Sequence, residues 1–456
     1  KDEDTLTGRL GDAAQMAAHR QIDNATPHVD RLVVALGAGA RAPDPRSVPP
    51  GLWIRADVPE LDIDQWLAVR REDTSGSNPE AGDLALAGID INAAVLTAFG
   101  RNFNTMKVTA RHVQDDWKLD LAAHEVAGTA TWSAPNERSP NGRIIARLAR
   151  FSPPPAKPAS ATGPGATDGA STWPELDVTS DAFVSKGREL GRMELVAKPS
   201  RGEWRIERLV LANDAGRLQA SGAWRAGARP EQTTLDVALD VKDGGAYLAR
   251  FGHPGLVQGA PTRINGQLAW AGDPSEFDYP TLSGNFHMEV GSGRFMKVEP
   301  GIGKLLGVLS LQALPRRISL DFRDIFSEGF SFDRVTGNVR IAHGVMSSDD
   351  LRLVGSSAQI AISGDADLDR ETQRLRVRVQ PTLSAGVSAG AALMFLANPI
   401  VGAAVGAGSL LAQKVLRDPI EKIFSYEYLV TGSWSDPHVA RGATATAAVP
   451  AEPTTK

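Results

Sequence analysis

Strict alternation of apolar and polar residues is the feature that most constrains what this chain can fold into. Between residues 374 and 380, leucine and valine occupy every second position, and arginine and glutamine fill the positions between them. Successive side chains of a β-strand point to opposite faces, so such a segment predicts a strand with one dry face and one wet face. What covers the dry face is therefore the central question about function.

The same alternation recurs in several other segments of the chain, with the aliphatic residue again at every second position. Because these segments share one pattern, we predict that their aliphatic residues line one apolar face. The predicted lining residues are Leu235, Val237, Leu239, Val241, Val339, Ile341, Leu351, Leu353, Ile360, Ile362, Leu375, Val377 and Val379.

Composition narrows the class of protein. The chain has 456 residues, of which 42% are hydrophobic, enough for a large core or an extended array of strands. Its 45 glycines and 29 prolines fit many turns between short strands. The net charge is −5 and no basic cluster occurs, so we expect no nucleic-acid partner. Cysteine is absent, which excludes disulfides and thiolate metal sites and suits an oxidising compartment.

The residue patterns of enzymes are missing. The eight histidines are scattered with no pair at metal-ligand spacing, and no nucleophile elbow, phosphate loop or zinc-protease motif occurs. The turn LGAGA at 36–40 lacks the third glycine and the helix of a nucleotide loop. Asp349 and Asp350, and the acids at 365–369, fit solvated turn residues better than a calcium site. We therefore expect no catalytic residue, no metal and no cofactor.

The domain organisation follows from shifts in composition. Residues 152–172 are rich in proline, alanine and glycine and predict a disordered linker between two strand-rich parts. The lysine at residue 1 is followed by neither a signal peptide nor a membrane anchor, so we interpret the chain as a fragment of a longer protein. The predicted segments are strands over 1–151, the linker over 152–172, strands over 173–380 with an inset helix at 301–314, an apolar helical hairpin over 381–416, a closing strand over 417–437 and a disordered tail over 438–456.

The stretch from Pro381 to Gln413 contains no charged residue. Pro399 interrupts it, and the two halves would be helices about 22 to 25 Å long, short of the roughly 30 Å hydrocarbon core of a bilayer. We predict a helical hairpin that meets a membrane surface or caps the sheet, while a buried hairpin with no membrane role remains the alternative. The residues predicted to make the membrane or cap contact are Leu393, Met394, Phe395, Leu396, Ile400, Val401, Leu410 and Leu411.

Several stretches resemble the YhdP-type branch of the AsmA-like family, in its C-terminal portion. The resemblance is carried by PGIGKLLGVLSLQALPRR at 300–317, LDFRDIFSEGFSFD at 320–333 and YLVTGSW at 428–434, with PGLWIRADVPELDIDQWL at 50–67 similar as well. It implies an elongated, curled β-sheet with an apolar groove, anchored in the inner membrane of a Gram-negative envelope by an N-terminal helix that this chain lacks. It also implies a role in carrying phospholipid towards the outer membrane.

The residues and the resemblance lead to one expectation of fold and function. The fold class is mainly β, an elongated curled antiparallel sheet forming a groove, with a few short helices. Exposing one acyl chain of about 16 methylenes to water costs on the order of 13 kcal/mol, and an unfilled apolar groove would remove that barrier. We therefore predict a periplasmic lipid-transfer protein, with phospholipid and membrane as partners and protein partners unknown. The alternative is a β-sandwich scaffold that binds proteins and holds no lipid.

Overall fold

The computed structural model of the chain consists mainly of β-strands, which confirms the predicted fold class. It describes residues 2–23, 26–65, 84–155, 173–225, 231–274, 277–296, 330–356, 358–381 and 426–441. Three predicted segments lie outside these residues: most of the linker (156–172), the inset helix at 301–314 and nearly all of the hairpin at 381–416. The chain forms two compact units, Lys1–Thr233 with Gly272–Pro274, and Thr234–Ala271 with Ser275–Lys456.

The first unit is built from consecutive strands, each paired with the strand before it in the sequence. A 3-10 turn at Pro45–Ser47 packs on the second and third strands. The strands are β1 Asp2–Leu10, β2 Ala14–Asp23, β3 Thr26–Leu36, β4 Gly51–Asp62, β5 Leu86–Ala98, β6 Arg101–Val113, β7 Asp116–Ala122, β8 Val126–Ser133, β9 Arg143–Phe151, β10 Glu175–Ser185, β11 Arg188–Ser200, β12 Glu203–Ala212 and β13 Gly216–Arg225.

Three strand pairs of this unit are parallel, a feature that the sequence analysis did not predict. β4 runs parallel to both β3 and β5, and β10 runs parallel to β9, whereas the other described pairs are antiparallel. A parallel return needs a long connection, and these three pairs are joined by the longest connections of the unit. The predicted linker is one of them. The strands on either side of it pair directly, since Ile144 of β9 lies opposite Leu176 of β10.

The second unit contains a large antiparallel sheet and a small three-stranded one. The division between the units falls within β14. The elements are β14 Gln232–Val241, helix α1 Gly244–Arg250, β15 Val257–Gly259, β16 Thr262–Ala271, β17 Ser283–Val290, β18 Gly293–Phe295, β19 Phe330–Phe332, β20 Arg334–Ala342, β21 Val345–Val354, β22 Ala358–Asp367, β23 Thr372–Pro381, β24 Tyr426–Ser433 and β25 Pro437–Arg441. β16, β17 and β20 to β25 pair in that order, and β15, β18 and β19 form the small sheet.

The boundary predicted for the disordered tail is wrong by a few residues. We placed the end of the closing strand at residue 437, but residues 437–441 form β25, which pairs with β24 so that Val439 lies opposite Val430. The backbone hydrogen bonds of an edge position outweigh the weak strand propensity of Pro437, His438 and Ala440. No helix in the described part of the chain has the length and apolar character needed to cross a membrane.

The core of the second unit lies where the small sheet packs on one face of the large one. Phe330 and Phe332 are 4% and 3% exposed, and they contact Ile360 and its neighbours on β21 to β24. The ring centroids of Phe295 and Phe332 lie 4.8 Å apart, so an aromatic contact between β18 and β19 stabilises the small sheet. Over this area the apolar face is closed by protein, as in a sandwich.

The outer face of each sheet is polar and carries charge pairs between neighbouring strands. Arg147 Nη1 lies 2.9 Å from Asp177 Oδ1 in the first unit, and Arg376 Nε lies 3.0 Å from Glu427 Oε1 in the second. Exposed pairs of this kind contribute little stability, about 0 to 1 kcal/mol each. Their main effect is to keep one face of every strand in water and the aliphatic face on the other side.

A buried polar cluster on the outer face of the first unit is held by a β-bulge. His19 lies opposite Arg31 while Arg20 lies opposite Val29, so Asp30 is the extra residue and its side chain reaches His19. His19 is 2% exposed, and its Nδ1 lies 2.6 Å from Asp30 Oδ1. Burial would raise the pKa of Asp30, but the hydrogen bond with His19 and the attraction of His19 and Arg31 outweigh it and lower that pKa.

We predict that Asp30→Ala lowers the free energy of unfolding by about 1 to 3 kcal/mol, because it leaves a buried nitrogen of His19 without its acceptor. The pKa of Asp30 is depressed in the folded chain, so its contribution is complete above the unfolded-state pKa of about 3.9. It is lost as the pH falls through the lower folded value. Denaturant unfolding at neutral and acidic pH measures both effects. The control is Asp12→Ala, whose side chain is 92% exposed, with an expected change of less than about 0.5 kcal/mol. Equal effects of the two substitutions would contradict the account.

We predict that Ile360→Ala costs about 2 to 5 kcal/mol, because Ile360 is 2% exposed beneath the small sheet. Leu375 belongs to the neighbouring strand and is only half-buried, so Leu375→Ala should cost roughly half as much. Chemical denaturation of the two variants tests whether the small sheet closes this part of the face. A larger loss at Leu375 would show that it does not.

Candidate functional site: the open apolar faces

The first unit presents one continuous apolar face, and its strand register shows how the sequence builds it. Ile91 of β5 lies opposite Val108 of β6, and Val108 lies opposite Leu121 of β7. The neighbouring row continues from Leu119 of β7 through Ala130 of β8 and Ala146 of β9 to Val178 of β10. Because paired residues share a face, the period-two pattern of each strand places its aliphatic residues side by side with those of the next.

Several aliphatic residues of this face are half-buried, although Met106 and Leu148 on the same face are only 6% exposed. Ile91, Val108, Leu119, Leu121 and Ile144 all keep part of their side chain exposed, while smaller neighbours such as Ala93 and Ala146 are buried between them. Among the described elements of this unit, extensive contacts join only neighbouring strands and the 3-10 turn on the outer face. Where these aliphatic side chains remain partly exposed, the described residues leave the apolar face open to solvent.

All the predicted lining residues of the second unit lie on one face of its large sheet. On β21 to β23, Leu351 lies opposite Ile362 and Ile362 lies opposite Val377. On β14, a hydrogen bond between side chains identifies the polar face. Asp236 accepts a hydrogen bond from Gln267 Nε2 at 2.9 Å. The aliphatic residues of β14 therefore point to the opposite, apolar face.

The lining residues divide into a buried group and an open group. The buried group includes Leu235, Val241, Val339 and Ile341, which are at most 7% exposed. Leu353, Ile360, Val377 and Val379 are at most 5% exposed because the small sheet covers them. The remaining predicted residues on β21 to β23, and two on β14, are half-buried. This open group consists of Val237, Leu239, Leu351, Ile362 and Leu375. The predicted membrane-contact residues Leu393, Met394, Phe395, Leu396, Ile400, Val401, Leu410 and Leu411 lie outside the described residues.

The closed area contains a polar atom without a partner. Tyr428 lies on the apolar face opposite Val377, and its hydroxyl is buried with no hydrogen-bond partner among the described residues. Burial raises the pKa of Tyr428, so the phenol stays neutral at physiological pH. An uncharged phenol is compatible with the apolar surroundings.

The acidic residues considered in the sequence analysis hold the fold together. Asp350 lies in a bulge of β21 and accepts hydrogen bonds from Asn338, whose backbone and side-chain donors lower the pKa of Asp350. Asp367 accepts from the backbone amides of Asp369 and Arg370 in the β22–β23 turn. The part of the chain that the structure describes contains no cluster of acidic and histidine side chains able to hold a metal ion.

The turn at 36–40 borders a cleft of about 510 Å³ on the first unit, lined also by Arg55, Asp57 and Lys107. Two of its backbone amides are already paired, since Gly37 donates to the carbonyl oxygen of Ala13 and Gly39 donates to that of Asp12. A side chain at Gly37 would lie 2.0 Å from the carbonyl oxygen of Asp57, so glycine is required there for close packing. The amides of Gly37 and Gly39 are therefore not free to bind a phosphate.

The open residues of the first unit were not among the predicted lining residues. The signal was present, because Met106, Val108 and Ala110 alternate with Lys107, Thr109 and Arg111. Their strands are richer in alanine and threonine than those of the second unit, so their apolar character is weaker. The register with β5 and β7 shows that they belong to the same kind of surface.

Comparison with known proteins agrees with this architecture. The chain is 27% identical over 408 residues, 87% of its length, to a protein of Escherichia coli (strain K12) named "Intermembrane phospholipid transporter YhdP". That name describes a transporter, in agreement with the expectation that the chain is not an enzyme. The match spans 31% of the relative, so this chain corresponds to about a third of it. No solved structure matches.

The family comparison covers almost the whole chain. The model of the family described as YhdP protein matches residues 1–439, which include every described strand except the last residues of β25. This agrees with the resemblance seen in the sequence motifs and extends it over both units. The chain belongs to the YhdP protein family.

Proposed function

We propose that this chain shields the acyl chains of phospholipids on its open apolar faces, as part of a protein that moves lipid between the two membranes of the envelope. The observation that carries the proposal is the first unit's row of aliphatic side chains, several of which remain partly exposed to solvent in the described structure. The relative's name as an intermembrane phospholipid transporter supports the same class of cargo.

The energetics favour a lipid chain as the occupant. Exposure of an acyl chain of about 16 methylenes costs on the order of 13 kcal/mol, and an exposed aliphatic sheet face carries its own cost of roughly 25 cal/mol per Å². Contact between the two removes both surfaces from water. The rows repeat similar residues from strand to strand, so neighbouring positions offer similar binding energies. A lipid on such a face is held without being trapped at one point.

Location and membrane contact are part of the same proposal. An envelope location is supported by the relative's name, and we place the chain in the periplasm with an inner-membrane anchor outside this sequence. The apolar segment around Leu393 to Leu411 would meet the membrane surface or cap the end of the sheet that lies nearest the membrane. Support of the outer-membrane permeability barrier would follow from supplying phospholipid to that membrane.

A second candidate function rests on the small sheet of the second unit. There Phe330 and Phe332 close the face in the manner of a sandwich, as a protein-binding scaffold would require. Closure is limited to one area, because Leu351, Ile362 and Leu375 stay half-buried on the same strands. Lipid content distinguishes the two functions, since a scaffold needs none.

We predict that the purified chain retains phospholipid and that Val108→Asp reduces the retained amount by about tenfold or more. A carboxylate at this position would sit in the middle of the row formed with Ile91 and Leu121, where contact with an acyl chain becomes unfavourable by several kcal/mol. Mass spectrometry of extracted lipid, normalised to protein, measures the effect.

The matched control is Thr131→Asp, which places the same charge on the outer face of β8. There Lys118 Nζ lies 3.3 Å from Thr131 Oγ1, so a new carboxylate gains a cationic neighbour. Circular dichroism should show both variants folded. Wild-type chain without lipid, or equal lipid in the two variants, would refute the proposal.

We predict a separate result for the second unit. Leu375→Asp should leave the chain folded and lower its lipid content, because Leu375 lies in the open group and its side chain reaches solvent. Leu353→Asp should instead unfold the unit, because Leu353 is 4% exposed beneath the small sheet. Thermal unfolding and lipid extraction on both variants test the division. A folded, lipid-filled Leu375→Asp chain would show that the open group does not touch lipid.

A further inference from the structure

Tryptophans occupy one rim of the apolar face in the first unit. Trp117 lies opposite Trp132 at the ends of β7 and β8, and Trp204 lies opposite Trp224 at the ends of β12 and β13. Trp173 lies just before β10, whose first residues pair in parallel with the start of β9. The intervening registers place all these strand ends on the same side of the sheet.

Three of these tryptophans form one contact cluster. The ring of Trp173 lies 5.4 Å from that of Trp204 at 62° and 5.4 Å from that of Trp224 at 87°, both edge-to-face arrangements. Trp204 and Trp224 are 3% and 6% exposed, whereas Trp173 is 38% exposed. Trp173 therefore lies over the pair and faces solvent itself.

The cluster contains a hydrogen-bond donor that no described residue accepts. Trp204 Nε1 donates to the carbonyl oxygen of Pro174 at 3.1 Å. Trp224 Nε1 is buried, and among the described residues it has no acceptor. Buried donors are nearly always paired in native proteins, so Trp224 Nε1 requires an acceptor beyond the described residues, and a lipid group at the rim would supply one.

The opposite rim of the same face has different chemistry. Phe151 and Phe183 lie at the far ends of β9 and β10 with their rings 6.0 Å apart, and Phe99 lies in the β5–β6 turn. Phenyl rings offer no donor, whereas indoles combine an apolar body with an N–H. This is the combination that places tryptophan at the lipid–water interface of membranes. The face thus has one rim suited to the polar part of a lipid and one suited only to hydrocarbon.

We propose that the tryptophan rim binds the glycerol–ester region of a phospholipid, with Trp224 Nε1 donating to an ester carbonyl oxygen and the acyl chains lying along the strands towards the phenylalanine rim. This inference rests on the proposed function. The dimensions fit, because a nine-residue strand such as β9 spans roughly 30 Å, whereas one leaflet of hydrocarbon is about 15 Å thick.

A neutral carbonyl is a better partner here than the phosphate. The cation nearest in sequence, Arg225, points to the outer face and is paired with Glu203, with Arg225 Nε 3.1 Å from Glu203 Oε1. Phosphate recognition normally uses arginine or lysine donors. The phosphate and the head group would then lie beyond the rim, in water.

Tryptophan quenching by brominated phospholipids tests the orientation. The full chain is loaded with a phosphatidylcholine brominated either on acyl carbons next to the ester or on carbons near the terminal methyl. Wild type is compared with Trp173→Phe. The control is Trp53→Phe, because Trp53 lies on the outer face, donates to the Pro49 carbonyl at 2.9 Å and stacks under Arg111.

We expect ester-proximal bromine to quench wild-type fluorescence more than methyl-proximal bromine, and this difference to shrink in Trp173→Phe but persist in Trp53→Phe. Stronger quenching by methyl-proximal bromine, or an unchanged difference in Trp173→Phe, would overturn the rim assignment while leaving lipid carriage intact. Absence of quenching by either lipid, together with absence of bound lipid, would instead refute the proposed function.

The donor is tested by Trp224→Phe with two lipids that differ only in the ester or ether linkage of their chains. Loss of one neutral hydrogen bond should weaken binding of the ester lipid roughly two- to tenfold and leave binding of the ether lipid unchanged. Equal effects on both lipids would overturn the carbonyl assignment. If Trp224→Phe does not fold, binding of the ester and ether lipids to the wild-type chain is compared instead. We expect the ester lipid to bind more tightly, and equal binding would count against the assignment.

Discussion

The fold depends on cross-strand contact between aliphatic side chains that share one face of a sheet. Each strand of the first unit after β1 pairs with the strand before it in the sequence, so the period-two pattern of one strand lies against that of the next. A slip of one residue would turn every leucine and valine outwards, and the charge pairs of the outer face would be lost with it. The same pairing that stabilises the sheet therefore creates a broad apolar surface.

The two units treat that surface differently. In the second unit the small sheet covers part of it, and residues such as Ile360 become core residues there. In the first unit the described elements leave the aliphatic side chains half-buried, with tryptophan along one rim and phenylalanine along the other. An apolar sheet face becomes part of the core where other protein residues cover it. It can bind a lipid where they leave it open.

The sequence predicted the face but not its boundaries. Alternation placed the residues from Leu235 to Val379 in strands, because a period of two is a local signal, while their contact with lipid stays a prediction. The small sheet was missed, since Val257–Gly259, Gly293–Phe295 and Phe330–Phe332 are three-residue strands, too short to show a period and far apart in the sequence. The parallel pairs and the bulge at Asp30 are also results of long-range pairing, which local patterns do not encode.

The most direct test of the account is a photo-crosslinking scan along one strand. A photoreactive amino acid is placed singly at Lys118, Leu119, Asp120 and Leu121 of β7, whose side chains alternate between the two faces. With radiolabelled phospholipid in the cell envelope, we expect strong lipid adducts at Leu119 and Leu121 and weak ones at Lys118 and Asp120. Equal crosslinking at all four positions, or none at the two leucines, would contradict the claim that this apolar face carries lipid.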